Sequence, residues 1–391
     1  MDKRTKLLKA TALLLCILFV LSACSAGNSG GAGNTKAAIR KNVETKQKAM
    51  DTADQAMYMS TVTQNDYYYK NEQIRWFTEM VHRGIQKVNM TVDEIKIIDD
   101  DTAVATIHQT HVNGEDFDFT WPALYKLEEG SWVDCGYNFK EVDTGKFTVK
   151  YMEGETRVND FISMMNQSYT NLEPIFAERP HSSFELKLFS DRELLRQRTV
   201  PSNAWLFTGW GEPNESLKLF TGHPDISRYN GTVQHEVVHH ITINICNNNL
   251  PIWLYEGVAM YYGSSYFGFE NSKILSSLIK ENLRMPIAEL EVLDSSKLTE
   301  TDDIYTWYGQ NFMYTAYLID TYGHDKYMEI WYEAGKKPFN DSAANPNFYS
   351  QNNETMSEVL MTVLGLTKQQ LTDEYLEWLE TTDILENPPF G

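Results

Sequence analysis

With 391 residues the chain has room for two ordinary domains and a sizeable core. Aromatics make up 13% of it, including 22 Tyr and 9 Trp, which argues for packed interiors and against disorder. The net charge of −20 repels phosphate backbones and leaves no polybasic patch for anionic lipid, so nucleic acid is excluded as a partner and the acidity reads as solubility.

The N-terminus is a targeting segment. A basic start, Lys3 to Lys9, precedes an apolar run, Ala10 to Leu21, that is too short to span a bilayer as a stable helix. The run ends in Leu21-Ser22-Ala23-Cys24 and a polar stretch follows. This resembles a bacterial lipoprotein signal with its lipobox. The resemblance implies that residues 1–23 are removed and that Cys24 is acylated, palmitate included. It also implies that the protein is held on the extracytoplasmic face of the cell membrane. An ordinary secretory signal with Cys24 incidental is the alternative, and either way the chain is exported. No second run of spanning length follows residue 24. Cys135 and Cys246 fall in different candidate domains and make no disulfide framework; they read as two buried thiols, with a bridge between them as the alternative.

Residues 24–35 are rich in Gly, Ser, Asn and Ala and read as a flexible tether. Residues 36–142 read as a first, α+β domain. Helix formers fill 36–60, and Ile74, Trp76, Phe77, Met80, Val81 and Ile85 give an apolar helical face over about 71–86. Short β-type segments follow. They run through Ile95 to Ile98, Ala103 to Ile107, Phe117 to Trp121 in alternation, Leu124 to Leu127, and Trp132 to Asp134. Helices followed by a four-strand antiparallel meander resemble, in element order, the cone-shaped nuclear-transport-factor-2-like fold. A ligand pocket is one role for such a domain, and a spacer or docking module is the other.

Residues 143–391 read as the second domain. Phe147, Val149 and Tyr151 alternate as a strand, 160–178 is an amphipathic helix ended by Pro180, and Phe184, Leu186 and Leu188 form another strand. Asp191 can cap a short helix, 201–215 reads as loop, and Leu217, Leu219 and Phe220 make a strand that is either a sheet edge open to an extended peptide or an internal strand. Helices are predicted over Asn271–Leu283, over Tyr305–Tyr322 closed by Gly323, over Asp325–Tyr332 and over Met356–Leu364. A Pro- and Asn-rich loop covers 337–353, and Thr367 with Gln370 forms a capping box for the last helix.

The chemistry is concentrated between Thr232 and Gly263. His235, Glu236, Val237, Val238 and His239 form an H-E-x-x-H pattern, and on a helix the two His stack on one face and converge on one metal. Asn247, Asn248 and Asn249 stop that helix, and Pro251 stands where the first residue of the next would. Glu256 lies about two turns into this second helix, which an antiparallel hairpin returns to the His pair. Two nitrogens and one oxygen leave a fourth zinc position for water. His240 lies about 100° round the helix from His239 and reads as a supporting or surface group. His223 and His324 read as solvated, and Trp253, Tyr261 and Tyr262 as packing.

Trp253-Leu254-x-Glu256-Gly257-x-Ala259 placed after this pattern resembles the gluzincin-type zinc metallopeptidases of the peptidase MA-like family over roughly residues 205–325. The resemblance implies a zincin-like, mostly helical domain with one Zn²⁺ per chain. Its ligands are His235, His239 and Glu256, with Glu236 as general base. An oxyanion donor is also needed, and Tyr308, at the opening of the aromatic helix, is the candidate; a core tyrosine is the other reading. The substrate implied is a peptide or protein. No G-x-M-E-N-type segment is present to hold a free amino terminus, which favours an endopeptidase. The competing reading is a catalytically silent, zinc-stabilised surface lipoprotein that binds a ligand or partner.

Overall fold

The structure is a computed structural model that describes residues 32–176, 184–263, 282–342, 345 and 347–384. The signal segment, Cys24 and all but the last residues of the helix expected over Asn271–Leu283 lie outside the described residues.

The N-terminal part contains α1 (Ala32–Asp51), α2 (Gln55–Met59) and α3 (Tyr67–His82), then β1 (Gln86–Ile97), β2 (Thr102–Asn113), β3 (Glu115–Glu128) and β4 (Ser131–Tyr137). The first helix begins inside the stretch read as tether. The single helix expected over 36–60 is divided, because Ala53 takes a left-handed φ of 52° and the Asp54 side chain caps α2 at Met57 N. Asp66 caps α3 in the same way, accepting from Tyr69 N. The four strands form an antiparallel meander in sequence order. Trp76, Phe77 and Met80 of α3 pack with Ile107, Trp121 and Tyr125 of the sheet in one core.

A second sheet begins at residue 140, just before the expected start of the second domain. It contains β5 (Lys140–Asp143), β6 (Thr148–Tyr151), β7 (Glu185–Phe189), β8 (Gly209–Trp210) and β9 (Leu217–Phe220), in the spatial order β5-β6-β7-β9-β8. β6, β7 and β9 are parallel, with an antiparallel strand on each outer side. The parallel pairs require crossovers, and α4 (Val158–Phe176) and α5 (Arg192–Thr199) lie in them. Asp191 caps α5 as its position predicts. The remaining elements are helical. They are α6 (Tyr229–Cys246), α7 (Ile252–Tyr262), α8 (Ile287–Leu290), α9 (Thr301–Tyr322), α10 (His324–Ala334), α11 (Phe348–Val363) and α12 (Lys368–Thr381). The α+β class, a helix-plus-antiparallel-sheet domain followed by a mostly helical one, matches the sequence reading. The loop expected over 337–353 ends early, since α11 already begins at Phe348. Thr367 and Gln370 form the capping box of α12.

The period-2 alternation of β7 and β9 gives the second sheet two different faces. Leu186, Leu188, Leu217 and Leu219 point into the apolar core with Phe161 and Met165 of α4 and Val233 and Val237 of α6. The alternate residues Glu185, Lys187 and Lys218 join ion pairs with α3 and its surroundings. Lys187 Nζ lies 2.7 Å from Glu72, and Lys218 Nζ lies 3.2 Å from the same carboxylate. Lys150 bridges Asp66 and Glu185, and Arg75 bridges Glu212 and Glu215. The Trp76 indole donates to Gln197 O at 2.9 Å. The N-terminal part is thus fastened to the second sheet through buried charges.

Burial pushes the Glu72 carboxyl up, but Lys187, Lys218 and the hydroxyl of Ser216 outweigh it and hold the group well below the ordinary carboxylate value of 4.5. A carboxyl depressed in this way stabilises the fold above its ordinary value and loses that contribution as the pH falls below it. Glu72→Gln is expected to cost about 3–5 kcal/mol near neutral pH, because it leaves two buried ammonium groups short of a partner. The gap in melting temperature between wild type and variant should narrow below about pH 4.5. Melting curves between pH 7 and pH 3 check both statements; a gap that is absent at neutral pH or constant across the range contradicts them.

Candidate metal centre

The helix α6 is apolar on most of its circumference. Val233, Val237, Val238 and Ile241 enter the core, while His235, Glu236 and His239 occupy the remaining buried face. The helix ends because Asn247 and Asn248 both adopt left-handed backbone, with φ of 52° and 57°. Asn tolerates that conformation better than other residues with a Cβ. The three Asn side chains also anchor the turn. Asn247 Nδ2 donates to Gly335 O at 2.8 Å, Asn248 Nδ2 to Asn340 O at 2.9 Å, and Asn249 Nδ2 to Pro338 O at 3.0 Å. From the other side Asn352 Nδ2 donates to Leu250 O at 2.8 Å. Pro251 then precedes α7 as its N-cap, one position earlier than expected.

The hairpin delivers Glu256 to the His pair. His235 Nε2 and His239 Nε2 are 3.0 Å apart, and Glu256 Oε2 lies 3.4 Å from the first and 3.5 Å from the second. These three residues are the group capable of holding a metal ion among the described residues. A tetrahedral ion with bonds of 2.0–2.1 Å separates its ligand atoms by about 3.3 Å, so the observed triangle has the required size. The donor chemistry agrees as well. Glu256 Oε2 and Glu236 Oε2 are buried and take no hydrogen bond from the described residues. A buried carboxylate oxygen such as Glu256 Oε2, facing two imidazole nitrogens without a hydrogen bond, is a group that a cation would satisfy. Two imidazoles and one carboxylate fit zinc or another borderline divalent ion.

Burial pushes the Glu256 carboxyl up, but the facing His239 and His235 outweigh it and hold it well below the ordinary range. Burial pushes Glu236 up to about 8 against the opposing charge of His239. Glu236 leans on β8, where a Cβ at Gly209 would collide with its carboxylate and one at Gly211 would stand 3.1 Å from Oε2. Two glycines are therefore what let the edge of the sheet approach the acid. The reading of 201–215 as plain loop missed this strand, because two residues give no alternation to detect; the Gly209-Trp210-Gly211 pattern is the one trace of it. The same strand decides the question of the sheet edge. Leu217–Phe220 is internal, paired with β7 on one side and β8 on the other, so the outer strand on this side of the sheet is Gly209–Trp210.

The other named residues are placed as follows. His240 packs against Phe184 with ring centroids 5.3 Å apart, and burial lowers its pKa to about 4. It is outside the metal-capable group. His324 is not solvated: Tyr262 OH lies 2.8 Å from its Nδ1 and Ile175 O lies 3.0 Å from its Nε2. Tyr308 meets Trp307 and Trp205 edge-on, at 4.8 Å and 6.3 Å, and Trp205 belongs to the segment leading into β8. Cys135 and Cys246 are free thiols, so the bridge between them does not form. Trp253 is fully buried in the core.

Glu256 is held in place by the neighbouring Gly257, where a Cβ would collide with Asn311 O and the Thr315 hydroxyl of α9. Gly257→Ala is expected to lower stability by about 1–3 kcal/mol, since backbone on a packed helix cannot move aside cheaply. It should weaken metal binding in parallel by displacing Glu256. Denaturant unfolding and competitive metal titration check this pair of effects; unchanged stability and metal affinity contradict the packing argument.

A comparison with known protein families covers this region. The model of the family described as the Peptidase MA superfamily matches residues 219–380, from the end of β9 into α12. No curated protein matches the chain. His235, Glu236, His239 and Glu256 all fall within the matched span. The chain carries, over residues 219–380, a domain of the Peptidase MA superfamily.

Proposed function

We propose that the protein is a zinc-dependent endopeptidase held on the extracytoplasmic face of the membrane through an acylated Cys24. The convergence of His235, His239 and Glu256 on one point, with Glu236 beside it, supports the catalytic part. Bound zinc would lower the pKa of a coordinated water to about 7 and polarise the scissile carbonyl. His235 and His239 would hold the ion through Nε2 and Glu256 through a carboxylate oxygen. Glu236 would accept the proton of the attacking water at its carboxylate and deliver it to the leaving amine. The substrate backbone would add to the outer edge of β8, which brings its carbonyl past Glu236; main-chain pairing gives such a cleft tolerance for different side chains. Tyr308, on the side of the Trp205 segment that enters β8, is the proposed donor to the oxyanion.

Zinc quantification together with cleavage of a peptide library tests this reading. Glu236→Gln is expected to retain one equivalent of zinc and to lose hydrolysis by about 10²–10⁴-fold. Gly209→Ala should also keep zinc but lose about 10²-fold through displacement of Glu236, and Tyr308→Phe should lose about 10²–10³-fold in kcat. Wild type that binds zinc and cleaves no library member would point instead to a silent, zinc-stabilised binding protein.

The anchor rests on the sequence of the lipobox. Among the described residues no helix is long and apolar enough to cross a membrane. Cys24→Ala is expected to move the protein out of the membrane fraction, and unchanged membrane retention would contradict the anchor.

A further inference from the structure

The side chains of α5 reach aromatic residues of α3 and of the N-terminal sheet. The Arg196 guanidinium sits 5.1 Å from the Phe117 ring, and that of Arg198 sits 5.5 Å from Trp76 and 4.6 Å from Trp121. The two arginines differ in one respect. Arg196 donates to Glu193 at 2.8 Å and to Asn203 O at 3.0 Å. Arg198 is only 8% exposed, and among the described residues its guanidinium has no hydrogen-bond acceptor and no ion pair.

The neighbouring buried cations are all matched. Lys46 pairs with Asp134, Lys187 with Glu72 and Glu185, and Lys218 with Glu72 and Glu215. Asp134, the nearby acid that could have served Arg198, is already engaged by Lys46, by Tyr69 OH at 2.9 Å and by Gly136 N at 2.8 Å. A guanidinium carries five donors in a planar fork, and one that stands at a cavity wall without a protein acceptor offers that fork to a ligand. Arg198 lines a cavity of about 440 Å³ between the N-terminal part and the second sheet, shared with Tyr69, Tyr137 and Phe139. That volume lies within the range of small-ligand pockets, about 300–1,000 Å³.

The geometry points to this cavity as a binding site for a small monocarboxylate with an aromatic or apolar body, its carboxylate on the Arg198 fork and its body against the tyrosine and phenylalanine rings. The planar fork matches a carboxylate in bidentate fashion. A monoanion is favoured over a phosphate because Lys126, Lys150, Lys187 and Lys218 in the lining are matched in number by Asp66, Glu72, Glu128 and Glu141, which leaves the single charge of Arg198 to be neutralised. His235, Glu236, His239 and Glu256 are not among the residues that line this cavity, so the proposal does not depend on the peptidase reading.

Phenylacetate and its neutral isostere 2-phenylacetamide test the assignment on the mature chain, by calorimetry and thermal shift, after treatment with EDTA to exclude coordination at the His235 group. Wild type should bind phenylacetate saturably and melt at a higher temperature in its presence, while 2-phenylacetamide does neither. Arg198→Met keeps the stem between the indoles and removes the fork; it should weaken phenylacetate binding by roughly tenfold or more. If that variant fails to fold, Arg198→Lys takes its place, and the wild-type comparison of acid with amide stands without either. Equal binding of acid and amide, no saturable phenylacetate binding, or unchanged affinity in the folded variant overturns the proposal. Tighter binding of inorganic phosphate than of phenylacetate overturns the choice of a monocarboxylate.

Discussion

The site depends on a three-residue turn. A carboxylate and two imidazoles cannot be gathered in an apolar interior without an element that forces them together, because each loses water on burial. Here the element is the hairpin of α6 and α7, whose sharp reversal at Asn247 to Asn249 sets Glu256 across from His235 and His239. The turn is tied to the segment between Gly335 and Asn340 by side-chain amides that double as its backbone solution. The surrounding helices stabilise this reversal as much as they fill space. Gly257 admits α9, and Gly263 admits His235, where a Cβ would stand 2.9 Å from the histidine's own Cβ.

A second constraint comes from the sheet beneath. Its parallel strands are leucine-rich on the face toward α4 and α6 and charged on the face toward α3. The apolar face gives α6 a fixed floor, which a pair of metal ligands four residues apart requires. The charged face binds the N-terminal part through pairs that are costly to break singly, a use of buried charge that favours one docking geometry over others. The outermost strand, only two residues long, brings glycine backbone against Glu236. The sheet edge and the helix pair therefore meet around one acid.

Much of this was legible in the sequence, for identifiable reasons. The His pair and the acid between them are local and repeat at the helical period, so their shared face follows from spacing alone. Glu256 was reachable because the three Asn mark a stop and Pro251 marks a restart. The capping residues Asp191 and Thr367 act within one turn and were equally readable. What escaped is non-local. The Asn turn is anchored by carbonyls some ninety residues away, and β8 has no pattern of its own because its only strand property is its pairing with β9. His324 looks solvated in sequence, yet both ring nitrogens are engaged by groups from distant helices. The ion pairs that join α3 to β7 and β9 were hidden too, since the alternation that marks Leu186, Leu188, Leu217 and Leu219 as one face does not say what covers Lys187 and Lys218 on the other.

X-ray absorption at the metal edge of the purified protein addresses the central claim most directly, because it reports the ligand set rather than its consequences. One zinc per chain is expected, four-coordinate, with two imidazole nitrogens and oxygen ligands at about 2.0–2.1 Å, and with loss of one oxygen contribution in Glu256→Ala. A metal-free protein that is otherwise folded, or a spectrum without imidazole scattering, would contradict it.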